Sequence, residues 1–235
     1  MSAAGPTTRF MIPLRDDNPI RSTPVVTIGL IALCTIVFLW QITLPEDESE
    51  AAVYLLGFIP AVLFGRAELP EHWVPPVASI FTAMFMHGGW MHLIGNMLYL
   101  WIFGDNVEDR VGRVRFVLFY LICGAVAAFA QALPDVGSRV PMIGASGAIS
   151  GVLGAYLVLY PRANVLVAVP LVFIIQTFRV PAWIVLGFWF VAQLATSLMA
   201  AQGQGGVAFG AHVGGFVAGV LLIRLFVRDR RTFRY

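Results

Sequence analysis

The sequence predicts an all-α membrane protein, a bundle of six transmembrane helices with an outward interfacial loop between the first and the second. Composition is the first reason: 59% of the 235 residues are hydrophobic and only 12% are charged. An ordinary soluble domain is about 45–50% apolar and about 25% charged. This composition excludes a soluble enzyme, a disordered regulator and a nucleic-acid binder. The spacing of the apolar runs and the distribution of the arginines give the number of helices and their orientation.

Six apolar runs are long enough to cross a hydrocarbon layer of roughly 30 Å. They cover residues 24–44, 77–103 (interrupted by His-Gly-Gly at 87–89), 114–133, 142–160, 180–200 and 207–227. Acidic residues follow the first run instead of a small-residue cleavage site, so it is predicted to be an uncleaved span and not a signal peptide. Two shorter stretches, 51–65 and 164–178, each carry a proline and are expected to lie in the interface or to dip in and return.

The arginines fix the predicted orientation. With six spans, both termini share one side with the loops at 104–113 and 161–179, and that side holds thirteen of the fifteen arginines. Only Arg66 and Arg139 fall on the other side. Arginine is in excess in cytoplasmic loops, which places both termini in the cytoplasm. A seventh span at 164–178 would move five C-terminal arginines outside and is rejected.

The predicted organisation is a cytoplasmic N-terminal segment at 1–23, a six-span domain at 24–227 and a basic cytoplasmic tail at 228–235. The two cysteines, Cys34 and Cys123, both lie inside apolar runs, which does not suggest a disulfide framework.

Polar side chains inside spans are costly and are therefore candidates for function. They are His92, Asn96, Ser146, Ser150, Gln193, Thr196 and His212. The second, fourth and sixth spans all begin on the outer side, so at 1.5 Å per residue His92, Ser146 and His212 lie within roughly one or two turns of the same depth. This shared depth is the main evidence for a site. Gln193 and Thr196 are interpreted as packing contacts.

The glycines that flank Ser146 and His212 predict that their two helices pack closely. A serine hydroxyl within hydrogen-bond reach of a neutral imidazole is the arrangement that a serine nucleophile needs. No carboxylate is placed to orient the imidazole, so a Ser-His dyad is expected and not a triad. His92 and Asn96 are one helical turn apart and face the same way, which suits two donors to an oxyanion.

Each of these residues also has a structural interpretation: serine as a small packing residue, histidine as a buried hydrogen-bonding group, asparagine as a contact between helices. Their joint placement favours a catalytic site. The sequence contains no His-Glu-x-x-His motif and no pair of span-embedded aspartates, so neither a metal nor an aspartyl mechanism is expected. A transporter is disfavoured because no inverted repeat or buried carboxylate supports it.

Three segments resemble signatures of the rhomboid family of intramembrane serine proteases. His-Gly-Gly-Trp-Met-His-Leu-Ile-Gly-Asn-Met at 87–97 resembles the second-span signature, Gly-Ala-Ser-Gly at 144–147 the nucleophile motif, and Ala-His-Val-Gly-Gly at 211–215 with Gly219 the last-span motif. The similarity runs from about residue 24 to 227. It implies a rhomboid-like bundle that cleaves peptide bonds in or beside the transmembrane helices of other membrane proteins, without a metal or a cofactor.

The resemblance also implies individual roles. Ser146 would be the nucleophile and His212 the general base. His92, Asn96 and the backbone N–H of Ser146 would stabilise the oxyanion, and Gly144 would allow the tight approach before the serine. Ser150 stands where the family often has an aromatic residue packed on the catalytic histidine, which leaves open what holds His212.

Aromatic residues of the fifth span are expected to line a lateral entry for the substrate. They are Trp183, Phe188 and Trp189. The expected partners are transmembrane segments of substrate proteins and the lipid bilayer, with no nucleic acid. The expected location is a bacterial plasma membrane, with the site toward the outer side. The alternative function is a non-catalytic chaperone or scaffold of the same fold that binds transmembrane helices.

Overall fold

The computed structural model describes residues 12–68, 74–171, 174–200 and 209–227, without the side chains of 170–171 and 196–200. The predicted tail at 228–235 and the first eleven residues of the predicted segment 1–23 lie outside these ranges. The described chain is mostly helical. Its α-helices are α1 (Val25–Gln41), α2 (Glu46–Leu56), α3 (Pro60–Leu63), α4 (Pro76–Thr82), α5 (Trp90–Val111), α6 (Arg113–Ala132), α7 (Ser146–Leu159), α8 (Ala182–Ala200) and α9 (Phe209–Phe226).

Apolar helices occupy each of the six predicted runs. Within the described ranges, α6 with its short 3₁₀ extension and α9 are long and apolar enough to cross a membrane. Helices α4 and α5 form a third candidate span that bends by 84°. Helix α1, helix α7 and residues Ala182–Ala195 of α8 are shorter apolar helices. The structure therefore has two to three candidate spans by length, and the number six stays a prediction.

Helices α7 and α9 approach backbone to backbone, as the glycine spacing predicts. A β-carbon on Gly151 would lie 3.2 Å from the carbonyl oxygen of Gly215. A β-carbon on Gly219 would lie 2.6 Å from the carbonyl carbon of Gly151. At Gly219 only glycine permits this approach, because the atoms that a β-carbon would meet belong to the main chain, whereas at Gly151 the nearest atoms belong to the side chain of Cys123. Helix α7 is buried along most of its length, with α9 against it.

Glu108 of α5 caps the first helix. Its Oε1 accepts a hydrogen bond of 3.0 Å from the Val26 N–H, and its Oε2 accepts bonds of 2.7 and 2.8 Å from the N–H and the hydroxyl of Thr27. The first N–H groups of a helix have no partner within the helix, and a carboxylate also interacts favourably with its dipole. The cap fixes α1 against α5.

The structure adds an antiparallel sheet that the all-α prediction does not contain. Its strands are β1 (Ile12–Asp16), β2 (Asn164–Leu171) and β3 (Ile174–Pro181), in the order β1-β2-β3. Within residues 164–178, expected to be an interfacial or re-entrant segment, the described residues thus form β2 and most of β3, which pair with each other. Its sequence is rich in β-branched residues, and Val165 and Val167 are fully buried, as in a strand that packs one face on the protein.

Asp16 connects the sheet to the helices. Its Oδ2 accepts hydrogen bonds of 2.6 Å from the Tyr156 hydroxyl and 3.0 Å from the Asn106 side-chain amide. The Tyr156 hydroxyl in turn accepts a 2.7 Å bond from the side chain of Asn18. Burial raises the pKa of the Asp16 carboxyl above its ordinary 3.8, although the hydrogen bond from the Tyr156 hydroxyl opposes the shift.

Candidate active site

The serine of the Gly-Ala-Ser-Gly segment begins a helix. Ser146 is the first residue of α7 and is half-buried. Two residues before it, Gly144 has a φ of +122°, a conformation that side-chain-bearing residues rarely adopt. The Gly144 N–H donates a 2.8 Å hydrogen bond to the Ala83 carbonyl, which anchors this loop at the break between α4 and α5.

Gly144 packs directly against the two predicted oxyanion donors. A β-carbon there would lie 2.7 Å from Nε2 of His92 and 3.7 Å from Nδ2 of Asn96. His92 and Asn96 are on the first two turns of α5, one turn apart, as expected from their spacing. The structure therefore brings the loop before Ser146, His92 and Asn96 together.

The hydrogen bond at His92 determines which of its ring nitrogens carries the proton. The Gly88 N–H donates to Nδ1 of His92 at 3.3 Å. A nitrogen that accepts a hydrogen bond holds no proton in the neutral ring, so Nε2 carries the hydrogen. His92 consequently presents an N–H donor at Nε2, on the side where it meets Gly144.

Asn96 has an unused donor. Its side chain is 8% exposed, and Nδ2 has no hydrogen-bond partner among the described residues. A buried amide donor without a partner costs roughly 1–3 kcal/mol, so such groups are rare in folded proteins. The geometry leaves this N–H₂ free for a group that enters the site.

His212 lies in the first turn of α9, opposite the start of α7. A β-carbon on Gly147 would lie 3.8 Å from the β-carbon of Ala211, so the chain neighbours of Ser146 and His212 are in contact. The close approach of α7 and α9 thus puts Ser146 and His212 at the same end of the helix pair, each in the first turn of its helix.

The imidazole of His212 is held from α8 and from its own helix. Its Nδ1 lies 2.7 Å from Oε1 of Gln193. Its ring centroid is 6.1 Å from that of Trp189 and 6.3 Å from that of Phe209, the latter edge-on. These contacts hold the His212 ring in place of the aromatic residue that the family often has at position 150. The Ser150 hydroxyl instead donates a 2.6 Å hydrogen bond to the Ser146 carbonyl.

The three aromatic residues predicted for the gate all lie on α8 but differ in surroundings. Trp183 and Phe188 are 56% and 64% exposed. Trp189 is half-buried and contacts both His212 and Phe216. A gate formed by these residues stays a prediction. The contact between Trp189 and the His212 imidazole was not predicted from the sequence.

Gln193 is the residue whose place in the site the sequence analysis missed. It was among the intramembrane polar residues but was interpreted as a packing contact. Its depth carried a signal: the fifth predicted span starts on the cytoplasmic side at 180, so Gln193 lies about 20 Å into it, in the outer half. The depth comparison that grouped Ser146 with His212 would have included it.

Comparison with known proteins supports the resemblance. The Rhomboid domain family model matches residues 75–229. The chain is 32% identical over 199 residues to "Rhomboid protein 1, mitochondrial" of Saccharomyces cerevisiae, covering 75% of this chain and 53% of the yeast protein. It is 44% identical over 81 residues to "Rhomboid protease GluP" of Bacillus subtilis, covering 33% of this chain and 15% of that protein.

A plant relative extends over a similar region. "Rhomboid-like protein 11, chloroplastic" of Arabidopsis thaliana is 28% identical over 164 residues, covering 66% of this chain and 54% of the relative. The chain thus spans about half the length of the yeast and chloroplast relatives. These relatives do not support the expected bacterial plasma membrane, because they include mitochondrial and chloroplastic proteins.

Proposed function

This chain belongs to the rhomboid family of membrane proteins, and on that premise we propose that it is an intramembrane serine endopeptidase. It hydrolyses peptide bonds in or near the transmembrane helices of other membrane proteins. The observation that carries the proposal is the opposite hydrogen bonding of the two histidines. Nδ1 of His92 accepts a bond from a backbone N–H, whereas Nδ1 of His212 faces an amide oxygen. One ring is suited to donate at Nε2 and the other to accept there.

Ser146 and His212 perform the acyl transfer in this proposal. The Ser146 hydroxyl oxygen attacks the peptide carbonyl carbon while its proton passes to Nε2 of His212. The protonated imidazole then gives that proton to the leaving amine as the C–N bond breaks. Water from the outer side attacks the acyl-serine, His212 takes a proton from it, and the acid product leaves as the serine is restored.

His92 and Asn96 stabilise the charge that develops on the carbonyl oxygen. The donors are Nε2–H of His92, Nδ2 of Asn96 and the backbone N–H of Ser146. Support comes from the proximity of both side chains to Gly144 and from the free, buried amide of Asn96. Donors held in place before the reaction stabilise an oxyanion strongly, because they need no reorganisation when the charge appears.

The membrane arrangement belongs to the same proposal. Six spans put both termini in the cytoplasm and open the site to the outer aqueous side. A substrate helix enters laterally past α8, where Trp183, Phe188 and Trp189 lie. Helices that unwind easily and carry small residues at the scissile bond are the expected substrates.

A liposome assay tests this function. Purified protein is reconstituted with single-span helices that carry small residues and a central glycine or proline, and cleavage products are identified by mass spectrometry. Wild type is expected to cleave, and Ser146→Ala and His212→Ala are expected not to cleave. Ser150→Ala is the matched serine control and should retain activity, because its hydroxyl bonds only to a backbone carbonyl in the described structure.

The same assay separates the protease from a helix-binding scaffold. Labelling of wild type but not of Ser146→Ala by a fluorophosphonate probe would support an activated serine without relying on a substrate. If wild type neither reacts with the probe nor cleaves any helix, yet retains helices on co-purification, the protease proposal is wrong and the scaffold is favoured.

A further inference from the structure

We propose that Gln193 is a positioning residue for His212, which it holds in the tautomer and orientation that leave Nε2 free to accept the Ser146 proton. This inference rests on the proposed function and deepens it. It turns the expected two-residue dyad into a Ser-His-Gln arrangement, whose third member lies on the neighbouring helix α8.

The contact itself carries the first step. Oε1 of Gln193 lies 2.7 Å from Nδ1 of His212, the short end of the range for a hydrogen bond to nitrogen. An amide oxygen only accepts, so the proton of the neutral imidazole is on Nδ1 and the lone pair is on Nε2. That is the state in which a carboxylate holds the histidine of a soluble Ser-His-Asp triad.

The surroundings of Gln193 explain why an amide is used here. Its neighbours on α8, Val191 and Leu194, are 62% and 38% exposed on the outside of the protein, the surface that would meet lipid. A carboxylate at such a depth would cost several kcal/mol more than a neutral group. Glutamine supplies the acceptor oxygen without the charge.

A second residue of α8, Trp189, also contacts His212, which indicates that the bond from Gln193 is specific. Trp189 is four residues before Gln193, so both side chains lie on one face of α8. The Trp189 ring is next to the imidazole while Gln193 bonds to its Nδ1. Two consecutive turns of α8 thus fix both the plane and the protonated nitrogen of His212.

Two substitutions at 193 and one matched control test the role. Gln193→Leu removes the acceptor and Gln193→Glu keeps it while adding charge. Gln131→Leu is the control, because Oε1 of Gln131 accepts a 3.2 Å bond from the N–H of Ala211, next to His212 in the chain, without touching the imidazole. Each variant is assayed in liposomes with a cleavable helix between pH 5 and 9, along with the wild type.

Gln193→Leu is expected to lower kcat about tenfold or more with little change in KM, since the wrong tautomer of a catalytic histidine costs up to about 10⁴ in a triad with a charged partner. Gln193→Glu is expected to recover part of that loss at high pH. Its acidic limb should move to higher pH, because the carboxylate stabilises protonated His212. Gln131→Leu should leave the position of the limb unchanged, whatever its effect on stability.

An imidazole ¹⁵N NMR measurement gives a readout apart from activity. The chain has only four histidines, so the His212 signals are identified by their loss in His212→Ala. Wild type is expected to carry the hydrogen on Nδ1, and Gln193→Leu to shift the hydrogen toward Nε2. Unchanged His212 signals in Gln193→Leu, or a wild-type hydrogen on Nε2, would overturn the proposal.

Failure of this inference is distinguishable from failure of the proposed function. If wild type cleaves the helix, Ser146→Ala does not, and Gln193→Leu keeps the wild-type kcat and pH profile, then Gln193 has no positioning role and the protease stands. If wild type does not cleave any helix, the proposed function fails first, and the ¹⁵N spectrum alone decides the His212–Gln193 bond.

Discussion

Gly144 and His92 are in such close contact that a single added methyl group would overlap the imidazole. A β-carbon on Gly144 would come within 2.7 Å of both Cε1 and Nε2 of the His92 ring. The residue that gives the chain its turn into α7 therefore also lies directly against Nε2 of His92, the nitrogen that carries the N–H. Both the positive φ at position 144 and the position of the His92 ring therefore require a residue without a β-carbon there.

Gly144→Ala is expected to reduce kcat/KM by about a hundredfold or more. The new methyl group would strain a φ of +122° and displace His92, and a misplacement of about 1 Å at a catalytic group can cost about 10²-fold. The measurement is cleavage of a helix in liposomes, with thermal unfolding in detergent to check folding. Gly95→Ala is the control, because nothing lies within 4 Å of its β-carbon position on α5; equal losses in both variants would contradict the prediction.

Asn96→Ala should separate activity from stability. Loss of one oxyanion donor costs about 10²–10³ in kcat. Stability should stay level or rise, since Nδ2 of Asn96 has no partner in the described part of the chain and its burial is unfavourable. Kinetics and thermal unfolding of the same preparation check both halves. A variant that is much less stable than wild type would show that Asn96 holds the fold together instead.

Gly219→Ala is expected to lower the free energy of unfolding by about 1–3 kcal/mol or more, and to reduce activity with it. The added carbon would meet the backbone of Gly151, which cannot swing aside as a side chain can. The α7–α9 spacing that brings Ser146 and His212 together would then widen. Thermal unfolding in detergent and the liposome assay measure the two effects.

The matched variant for that test is Gly187→Ala on α8. Its β-carbon position has no atom within 4 Å, so the substitution should be neutral or slightly stabilising, as alanine favours a helix. If Gly219→Ala were as well tolerated as Gly187→Ala, the close α7–α9 approach would not matter for stability.

The stability of the protein should rise on mild acidification through Asp16. Burial raises the pKa of this carboxyl above its ordinary value, so the folded state binds the proton more tightly than the unfolded chain. The free energy of unfolding contributed by Asp16 therefore increases as the pH falls from neutrality through the raised pKa, and is lost as the pH rises again.

Asp16→Asn should remove that contribution to the pH dependence and be at least as stable as wild type at pH 7. It keeps an oxygen for the Tyr156 hydroxyl and the Asn106 amide but carries no charge. Unfolding curves at several pH values between 4 and 7 measure the effect. Asp17→Asn, at an exposed neighbouring carboxylate, is the comparison; an identical change in both variants would show that the burial of Asp16 is not the cause.

Much of the candidate site could be proposed from the sequence because its residues carry polar groups that are unusual inside a membrane. Ser146, His92, Asn96 and His212 are polar groups inside apolar runs, and their depths follow from a fixed rise per residue. The contact between α7 and α9 could be predicted for a similar reason, since glycines four apart leave a smooth helix face. Periodicity and composition are local properties, and the sequence displays them directly.

The three-stranded sheet was not predicted because one of its strands comes from a distant part of the chain: β2 pairs with β1 as well as with its neighbour β3. Residues 164–178 are apolar and contain a proline, which suits an interfacial segment as well as a strand. The structure has two strands there, which pair with each other, and the first also pairs with Ile12–Asp16, some 150 residues earlier. The sequence of residues 164–178 alone does not indicate that β1 is a partner.

Composition, apolar runs and motifs are sufficient to assign the class of the protein: a membrane protein of the rhomboid family, with the serine and histidine motifs in order along apolar helices. The way in which the two histidines are held follows only from the packing of the folded chain. Gly88 lies only four residues before His92 in the chain, but Gln193 reaches His212 from another helix, and the proton positions follow from those bonds. Motifs record which groups are present, whereas the orientation of an imidazole depends on neighbours that only packing brings within 3 Å or so.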